Sequence, residues 1–206
     1  MKLVLIADTH GLHEQVKLPK GDILVCAGDI SNVGKIGEIG RFNKWLGRQS
    51  FEHKIVIAGN HDWVFEKQPS LARSMITNGI YLQDESVEVN GLKFYGSPWQ
   101  PKFMGWAFNL DRGPALAKKW VMIPDDTDIL VTHCGPRGIL DRIINGEALG
   151  CDDLLEKVMQ VRPKLHIFGH IHDAYGIRIY DSTTFINASI CNESYNPINL
   201  PIVFEV

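Results

Sequence analysis

The stretch Leu3-Val4-Leu5-Ile6-Ala7-Asp8-Thr9-His10 decides the fold, because five apolar residues run without a turn into an Asp and a His. Four more stretches repeat the pattern. Ile23-Leu24-Val25-Cys26-Ala27 runs into Gly28-Asp29, and Ile55-Val56-Ile57-Ala58 into Gly59-Asn60-His61-Asp62. Ile129-Leu130-Val131-Thr132 runs into His133, and Leu165-His166-Ile167-Phe168 into Gly169-His170-Ile171-His172. Short, continuous, β-branched runs bounded by Gly read as strands buried on both faces, as in a sheet covered by helices. In open α/β sheets the ligand sits off the carboxyl ends of the strands. Such a fold gathers Asp8, His10, Asp29, Asn60, His61, His133, His170 and His172 at one edge, as a metal site with catalytic potential.

Helical segments alternate with these runs. Residues 33–49 carry Ile36, Ile39, Phe42, Trp45 and Leu46 at helical spacing. Residues 69–78 start at Pro69 and stop at Asn78-Gly79, and residues 114–122 and 152–162 supply two further helices. Ser86 to Val89 and Leu92 to Tyr95 flank Asn90-Gly91, a strong hairpin signal. Ile177 to Tyr180 and Thr184 to Asn187 flank Asp181-Ser182-Thr183 as a second hairpin, and Ile202 to Val206 reads as a closing strand. The economical architecture is α/β: two packed mixed β-sheets with helices outside. No linker, repeat or low-complexity tract interrupts it, so residues 1–206 are expected to form a single domain.

At 206 residues and 45% hydrophobic content the chain can bury one good core. A formal net charge of -3 and no basic run longer than Lys118-Lys119 argue against extended nucleic acid or an anionic membrane as partner. The run after Met1-Lys2 is too short for a secretory signal, and none approaches the roughly 20 residues of a membrane span. The expected location is the cytoplasm. Cys26, Cys134, Cys151 and Cys191 lack metal-site spacing and are expected to be free thiols. Oligomeric state is not legible.

Carboxylates, imidazoles and one amide make a mixed oxygen/nitrogen shell. It has no thiolate, as a closed structural zinc site would, and is too imidazole-rich for calcium. Asp8, His10, Asp29, Asn60, His133, His170 and His172 are too many ligands for one ion, and two ions sharing one carboxylate fit better. Paired ions about 3.5–4 Å apart can activate water and clamp both oxygens of an in-line phosphoryl displacement.

Taken in chain order, Asp8-Thr9-His10, Gly28-Asp29, Gly59-Asn60-His61-Asp62, His133 and Gly169-His170-Ile171-His172 resemble the five-part signature of the calcineurin-like metallophosphoesterases. Gly96-Ser97-Pro98-Trp99-Gln100-Pro101, Tyr175-Gly176 and Ile186-Asn187-Ala188-Ser189 with Cys191 are similar to the small metallophosphoesterase-domain-containing proteins that act on cyclic nucleotides. The resemblance implies a metallophosphoesterase-type sandwich and two divalent metal ions, Mn2+ first, with Fe or Zn2+ also compatible. It implies that Asp8, His10, Asp29 and His172 hold one ion, that Asp29 bridges, and that Asn60, His133 and His170 complete the other. His61 would touch the phosphate and protonate the leaving oxygen, with Asp62 orienting its ring.

The implied activity is metal-dependent hydrolysis of a phosphoric ester, with a phosphodiesterase acting on small, cyclic nucleotides favoured. A phosphomonoesterase or phosphoprotein phosphatase is the second reading, and a non-catalytic scaffold that binds protein partners the third. Phe94, Tyr95, Trp99, Phe103, Trp106 and Phe108 form a dense aromatic segment. It reads either as a loop folded over the core edge or as a wall for a nucleobase, with Trp99 the leading platform. Arg137, four residues after His133, is a candidate phosphate contact or a solvated loop arginine. His13, His53, His166, Asp22, Asp84, Asp111 and Asp141 read as ordinary surface, turn or core residues.

Overall fold

The computed structural model describes residues 1–206. One sheet has five strands, in the order β13 (Ile202–Glu205), β1 (Lys2–Ile6), β2 (Ile23–Ala27), β3 (His53–Ile57) and β4 (Ile80–Tyr81). Within it β1 to β4 run parallel and β13 antiparallel. The other sheet has six, in the order β11 (Gly176–Tyr180), β12 (Thr183–Asn187), β10 (Leu165–Phe168), β9 (Ile129–Thr132), β6 (Leu92–Ser97) and β5 (Glu85–Val89). Its four inner strands are parallel and both edge strands antiparallel. A two-stranded ribbon of β7 (Gln100–Pro101) and β8 (Asn109–Leu110) stands apart.

The period-two alternation of strand side chains divides the apolar runs between layers. Leu3 and Leu5 of β1, Val25 of β2, Ile55 and Ile57 of β3, Val131 of β9 and Ile167 of β10 meet in a core between the sheets. Val4, Ile6, Leu24 and Val56 point the other way, against α1 (Ile36–Gly47), α2 (Trp63–Lys67) and α3 (Pro69–Met75) through Ile39, Phe42, Phe65 and Ala72. Leu130, Phe168 and Phe185 face α4 (Pro114–Trp120) and α5 (Asp152–Val161) through Leu116, Trp120, Leu154 and Val158. The result is two mixed sheets packed face to face with helices on both outer sides, the architecture expected from the sequence. No helix is long and apolar enough to cross a membrane.

Several element ends differ from the expected ones for visible reasons. The first helix starts at Ile36 rather than 33 because the Glu38 carboxylate accepts from the backbone N–H groups of Asn32 (3.0 Å) and Lys35 (2.9 Å), which holds the approach as a loop. The helix from Pro69 ends at Met75 rather than 78, since Asn43 Oδ1 accepts from the N–H groups of Thr77 (3.1 Å) and Asn78 (3.0 Å). In the second hairpin Thr183 already pairs with Tyr180, so only Asp181 and Ser182 turn. The short elements α2, β4, β7 and β8 carry too few residues to show a period. All four cysteines are buried free thiols.

Candidate metal centre and active-site cleft

Because the inner strands of each sheet are parallel, their carboxyl ends share one edge, and the candidate ligands lie there. Loops are tied across that edge by backbone hydrogen bonds. Asp8 N–H donates to Gly28 O (3.0 Å), His10 N–H to Asp29 O (2.9 Å) and Gly169 N–H to His133 O (3.0 Å). The approach is too close for side chains at two positions: a Cβ on Gly59 would collide with Asp29 Oδ1 and His133 Cε1, and one on Gly169 with Asp8 Oδ2. Asp8, His10, Asp29 and His170 have φ of 53°, 44°, 49° and 69°. Non-glycine residues in this left-handed region cost about 1–3 kcal/mol each and gather at functional sites.

Asp29 sits at the focus. Its Oδ1 accepts from the His61 N–H (2.8 Å), and its Oδ2 faces the Nε2 atoms of His133 at 3.5 Å, His10 at 3.8 Å and His61 at 4.0 Å. Asp8 Oδ1 lies 3.7 Å from His172 Nε2, which lies 3.2 Å from His10 Nε2, while Asn60 Oδ1 lies 2.9 Å from His133 Nε2. Asp8 with His10 and His172, Asp8 with Asp29 and His133, and His10 with Asp29 and His61 form compact buried donor groups. Metal–ligand bonds of about 2.0–2.2 Å place neighbouring donors roughly 3–3.5 Å apart, so the spacing suits ions held between these atoms. His170 belongs to none of the three groups. It packs edge-on against His133, with ring centroids 5.1 Å apart, and lines the cleft.

Backbone carbonyls set the imidazole tautomers. His133 Nδ1 donates to Ala27 O (3.1 Å), His172 Nδ1 to Asn192 O (3.0 Å) and His61 Nδ1 to Asn32 O (2.6 Å). Each bond turns Nε2 towards the centre, the outer-shell arrangement that orients metal-bound histidines. Asp8 is held by Ser189 Oγ (2.6 Å) and by the His170 N–H (3.0 Å to Oδ2).

Charge coupling completes the fit. Burial alone would raise Asp8, but hydrogen bonding to His172 and the charges of His172 and His133 hold it at about 2. Asp29 is likewise held far below the carboxylate range, against burial, by His133, His10 and His61. Burial would lower His133 and His172, yet Asp29 raises the first and Asp8 the second to about 9. Burial lowers His10 to about 4 and His170 to about 3, leaving neutral rings with lone pairs. Two buried carboxylates, an amide oxygen and imidazoles converging on shared points form a donor set for hard-to-borderline divalent cations. Binding of such a cation by His133 or His172 would require a deprotonated Nε2.

Beside the candidate ligands lies an open cleft of about 650 Å³, the solvent at its mouth included, lined partly by Asn60, His61, His170 and His172. Its apolar wall is Phe103, Trp106, Ile143, Leu149, Ile171 and Tyr195. Trp106 stacks on His61 with centroids 4.0 Å apart and planes 23° from parallel, and Tyr195 meets His10 edge-on at 4.6 Å.

Three expected site residues fall elsewhere. Asp62 does not orient His61: its carboxylate accepts from Ser31 N–H (2.9 Å), Ser31 Oγ, Ile30 N–H (3.2 Å) and Gly59 N–H (2.8 Å). Burial and the Asp29 charge push it up to about 7, and the Ser31 and Gly59 hydrogen bonds work against them. It fastens the loop after β2 to the loop after β3. Trp99 is not on the cleft wall, because its indole N–H donates to Asp84 (2.8 and 3.1 Å), its ring meets Phe108 edge-on and Lys119 Nζ sits 4.2 Å from its centroid. Asp84, expected as a plain turn residue, anchors that cluster. Arg137 does not line the cleft, and its backbone N–H donates to Cys151 O (3.0 Å). Tyr195, Glu193, Asn32 and Asn192 were not among the expected residues; two act through backbone carbonyls, which carry no sequence signal.

A two-sheet α/β sandwich with clustered Asp, Asn and His donors at the common strand edge defines a metal-dependent phosphoesterase. The chain belongs to the calcineurin-like phosphoesterases, whose family model matches residues 1–174. It is 43% identical over its whole length to metallophosphoesterase domain-containing protein 1 of Homo sapiens, covering 71% of that protein. Among solved structures it is similar in fold to the phosphopantetheinyl hydrolase of Mycobacterium tuberculosis (TM-score 0.66, 15% identity, 98% of this chain and 95% of that one). A novel archaeal phosphodiesterase is also similar (TM-score 0.50, 16% identity, 93% of this chain and 85% of that one).

Proposed function

We propose that the chain is a binuclear phosphodiesterase acting on small nucleotides, cyclic ones included, with Mn2+ as the ion to load first and Fe or Zn2+ as alternatives. The observation that carries this reading is the focus at Asp29 Oδ2, within 4.0 Å of three imidazole Nε2 atoms. Asp8, His10, Asp29 and His172 would hold one ion and Asp29, Asn60, His133 and His170 the other. Two such ions lower the pKa of a bound water from about 15.7 towards about 7 and neutralise charge on the phosphoryl oxygens.

The chain's own residues do the rest. Asn60 and His61 meet the phosphate at the cleft floor. His61, its Nδ1–H held by Asn32 O, would act as the doubly protonated ring: its Nε2–H passes that proton to the departing oxygen and leaves a neutral Nδ1–H imidazole, a role worth about 10²–10⁴-fold. Trp106 and Tyr195 give the ester substituent an aromatic surface, suited to a base. The four unpaired thiols support a reducing, cytoplasmic setting.

The test is a hydrolysis screen of the Mn2+-loaded protein against cyclic nucleotides, linear diesters, nucleoside monophosphates and a phosphopeptide. Turnover of diesters above the others is the expected result. Preference for monophosphates or the phosphopeptide would replace this reading with a phosphomonoesterase, and no turnover with two ions bound would point to a scaffold.

A further inference from the structure

The loop from Asn192 to Pro197 lies beyond residue 174, where the family match ends. It is closed by pairing of Cys191 with Pro197 and by Asn192 N–H donating to Asn196 O (2.9 Å). Asn192 Oδ1 accepts from the N–H groups of Ser194 (3.1 Å) and Asn196 (2.9 Å). The carbonyl of Asn192 takes the His172 Nδ1 proton, so the loop is registered directly against a candidate ligand. From this frame Tyr195, with φ 58°, sets its ring edge-on against His10 and His172, at 4.6 and 5.6 Å between centroids. A bulky residue in that conformation is held there by its surroundings.

The same loop puts Glu193 on the cleft, and no Lys or Arg stands among the residues that line it. Any negative charge beyond what the ions neutralise meets a carboxylate and no basic side chain. A monoester carries close to two negative charges near neutral pH, its second pKa being about 6, whereas a diester carries one. A substituent linked through the second ester oxygen can also rest on the apolar wall.

Resting on the phosphoesterase reading of the same site, we propose that Glu193 is a specificity-determining residue that selects monoanionic phosphodiesters by repelling dianionic phosphate ends. Its effect is electrostatic, graded by charge and weakened by salt, since the side chain is exposed.

The experiment compares the Mn2+-loaded wild-type protein with Glu193→Gln, Glu193→Lys and the remote control Glu205→Gln. The rates are kcat/KM for bis-p-nitrophenyl phosphate and p-nitrophenyl phosphate at low salt. Both substrates should gain in Glu193→Gln, the monoester more, so that the diester preference falls by about three- to ten-fold. Glu193→Lys should carry it further in the same direction, and added salt should compress the series. The shift should fall on KM. In parallel, calorimetry at mildly alkaline pH measures binding of phenylphosphonate and of its monoanionic methyl ester, with the dianion gaining more in both variants. A preference that does not follow the charge at 193, or that Glu205→Gln changes equally, overturns the proposal. If the wild-type protein turns over neither ester, the diesterase reading fails by itself and the phosphonate affinities still decide the role of Glu193.

Discussion

His61 Nδ1 lies 2.6 Å from the carbonyl oxygen of Asn32, and Asn32 N–H is in turn held by Glu38, so the first turn of α1 fixes the ring that faces the cleft. The imidazole is oriented by backbone, with the carboxylate next to it in sequence committed to other partners.

His61→Gln should therefore keep both ions and slow hydrolysis of esters with alkoxide leaving groups by about 10²–10⁴-fold. An activated nitrophenyl ester, whose leaving group needs little protonation, should lose less. Metal analysis and paired kcat values check this. Equal losses would show that His61 positions the phosphate and is not the acid.

Asp29→Asn should abolish turnover and lower the metal content, because Asp29 Oδ2 faces the donors of both proposed ion sites. Near-normal activity with two ions still bound would rule out the bridging assignment.

Asp62→Ala should act through stability. It strands the N–H groups of Ile30, Ser31 and Gly59, each a buried donor, and should cost about 3 kcal/mol or more. In a chain of this size that is a fall of roughly 6–12 °C in Tm. Metal affinity should fall with it, since the loops carrying Asp29 and Asn60 come apart. An unchanged Tm with a reduced kcat would instead tie Asp62 to the His61 ring.

Trp99→Ala and Trp106→Ala should separate cleanly. Trp99→Ala should lower Tm, by loss of packing on Phe108 and of the Asp84 partner, with KM little changed. Trp106→Ala should raise KM for nucleotide substrates more than for a small non-nucleotide diester. The reverse pattern would return Trp99 to the binding site.

His166 makes stability depend on pH. Thr132 Oγ1 gives its proton to Cys134 O (2.6 Å), so His166 Nε2–H donates to Thr132 Oγ1 (2.7 Å) while Nδ1 has no partner. Burial lowers this ring from 6.5 to about 3. Between those values the unfolded chain binds a proton that the folded chain refuses. The ring's contribution is thus complete above pH 6.5 and is lost as pH falls towards 3. Denaturant melts of His166→Leu between about pH 6 and 4 should show a slope shallower by roughly 1.4 kcal/mol per pH unit. Parallel curves for the two proteins would show that the folded state accepts the proton.

The fold was legible because its main strands are nearly uninterrupted apolar runs, and the layer each residue enters follows from alternation alone: Leu3 and Leu5 inward, Val4 and Ile6 outward. The convergence of the candidate ligands was legible because parallel strands bring their carboxyl ends together whatever the helices do. Orientation was not. Asp62 follows His61 in sequence, yet a bend at the loop turns its carboxylate to Ser31 and Gly59, and sequence adjacency says nothing about that. Trp99 and Trp106 are equally aromatic and close in sequence. Which one reaches the cleft depends on Asp84, which binds the Trp99 indole, and on how the segment through Phe108 folds back.

The left-handed backbone at His10 bears on how this protein can be improved or spoiled. Its φ is 44°, its ring is buried, and its Nδ1 has no hydrogen-bond partner. Glycine relieves such a backbone, and asparagine tolerates it better than histidine does. Selection for heat resistance alone, blind to turnover, would accordingly admit glycine or asparagine at position 10, at the expense of a candidate metal ligand. A library screened for both properties would hold histidine there, and the gap between the two outcomes would measure how much folding stability the centre gives up for its geometry.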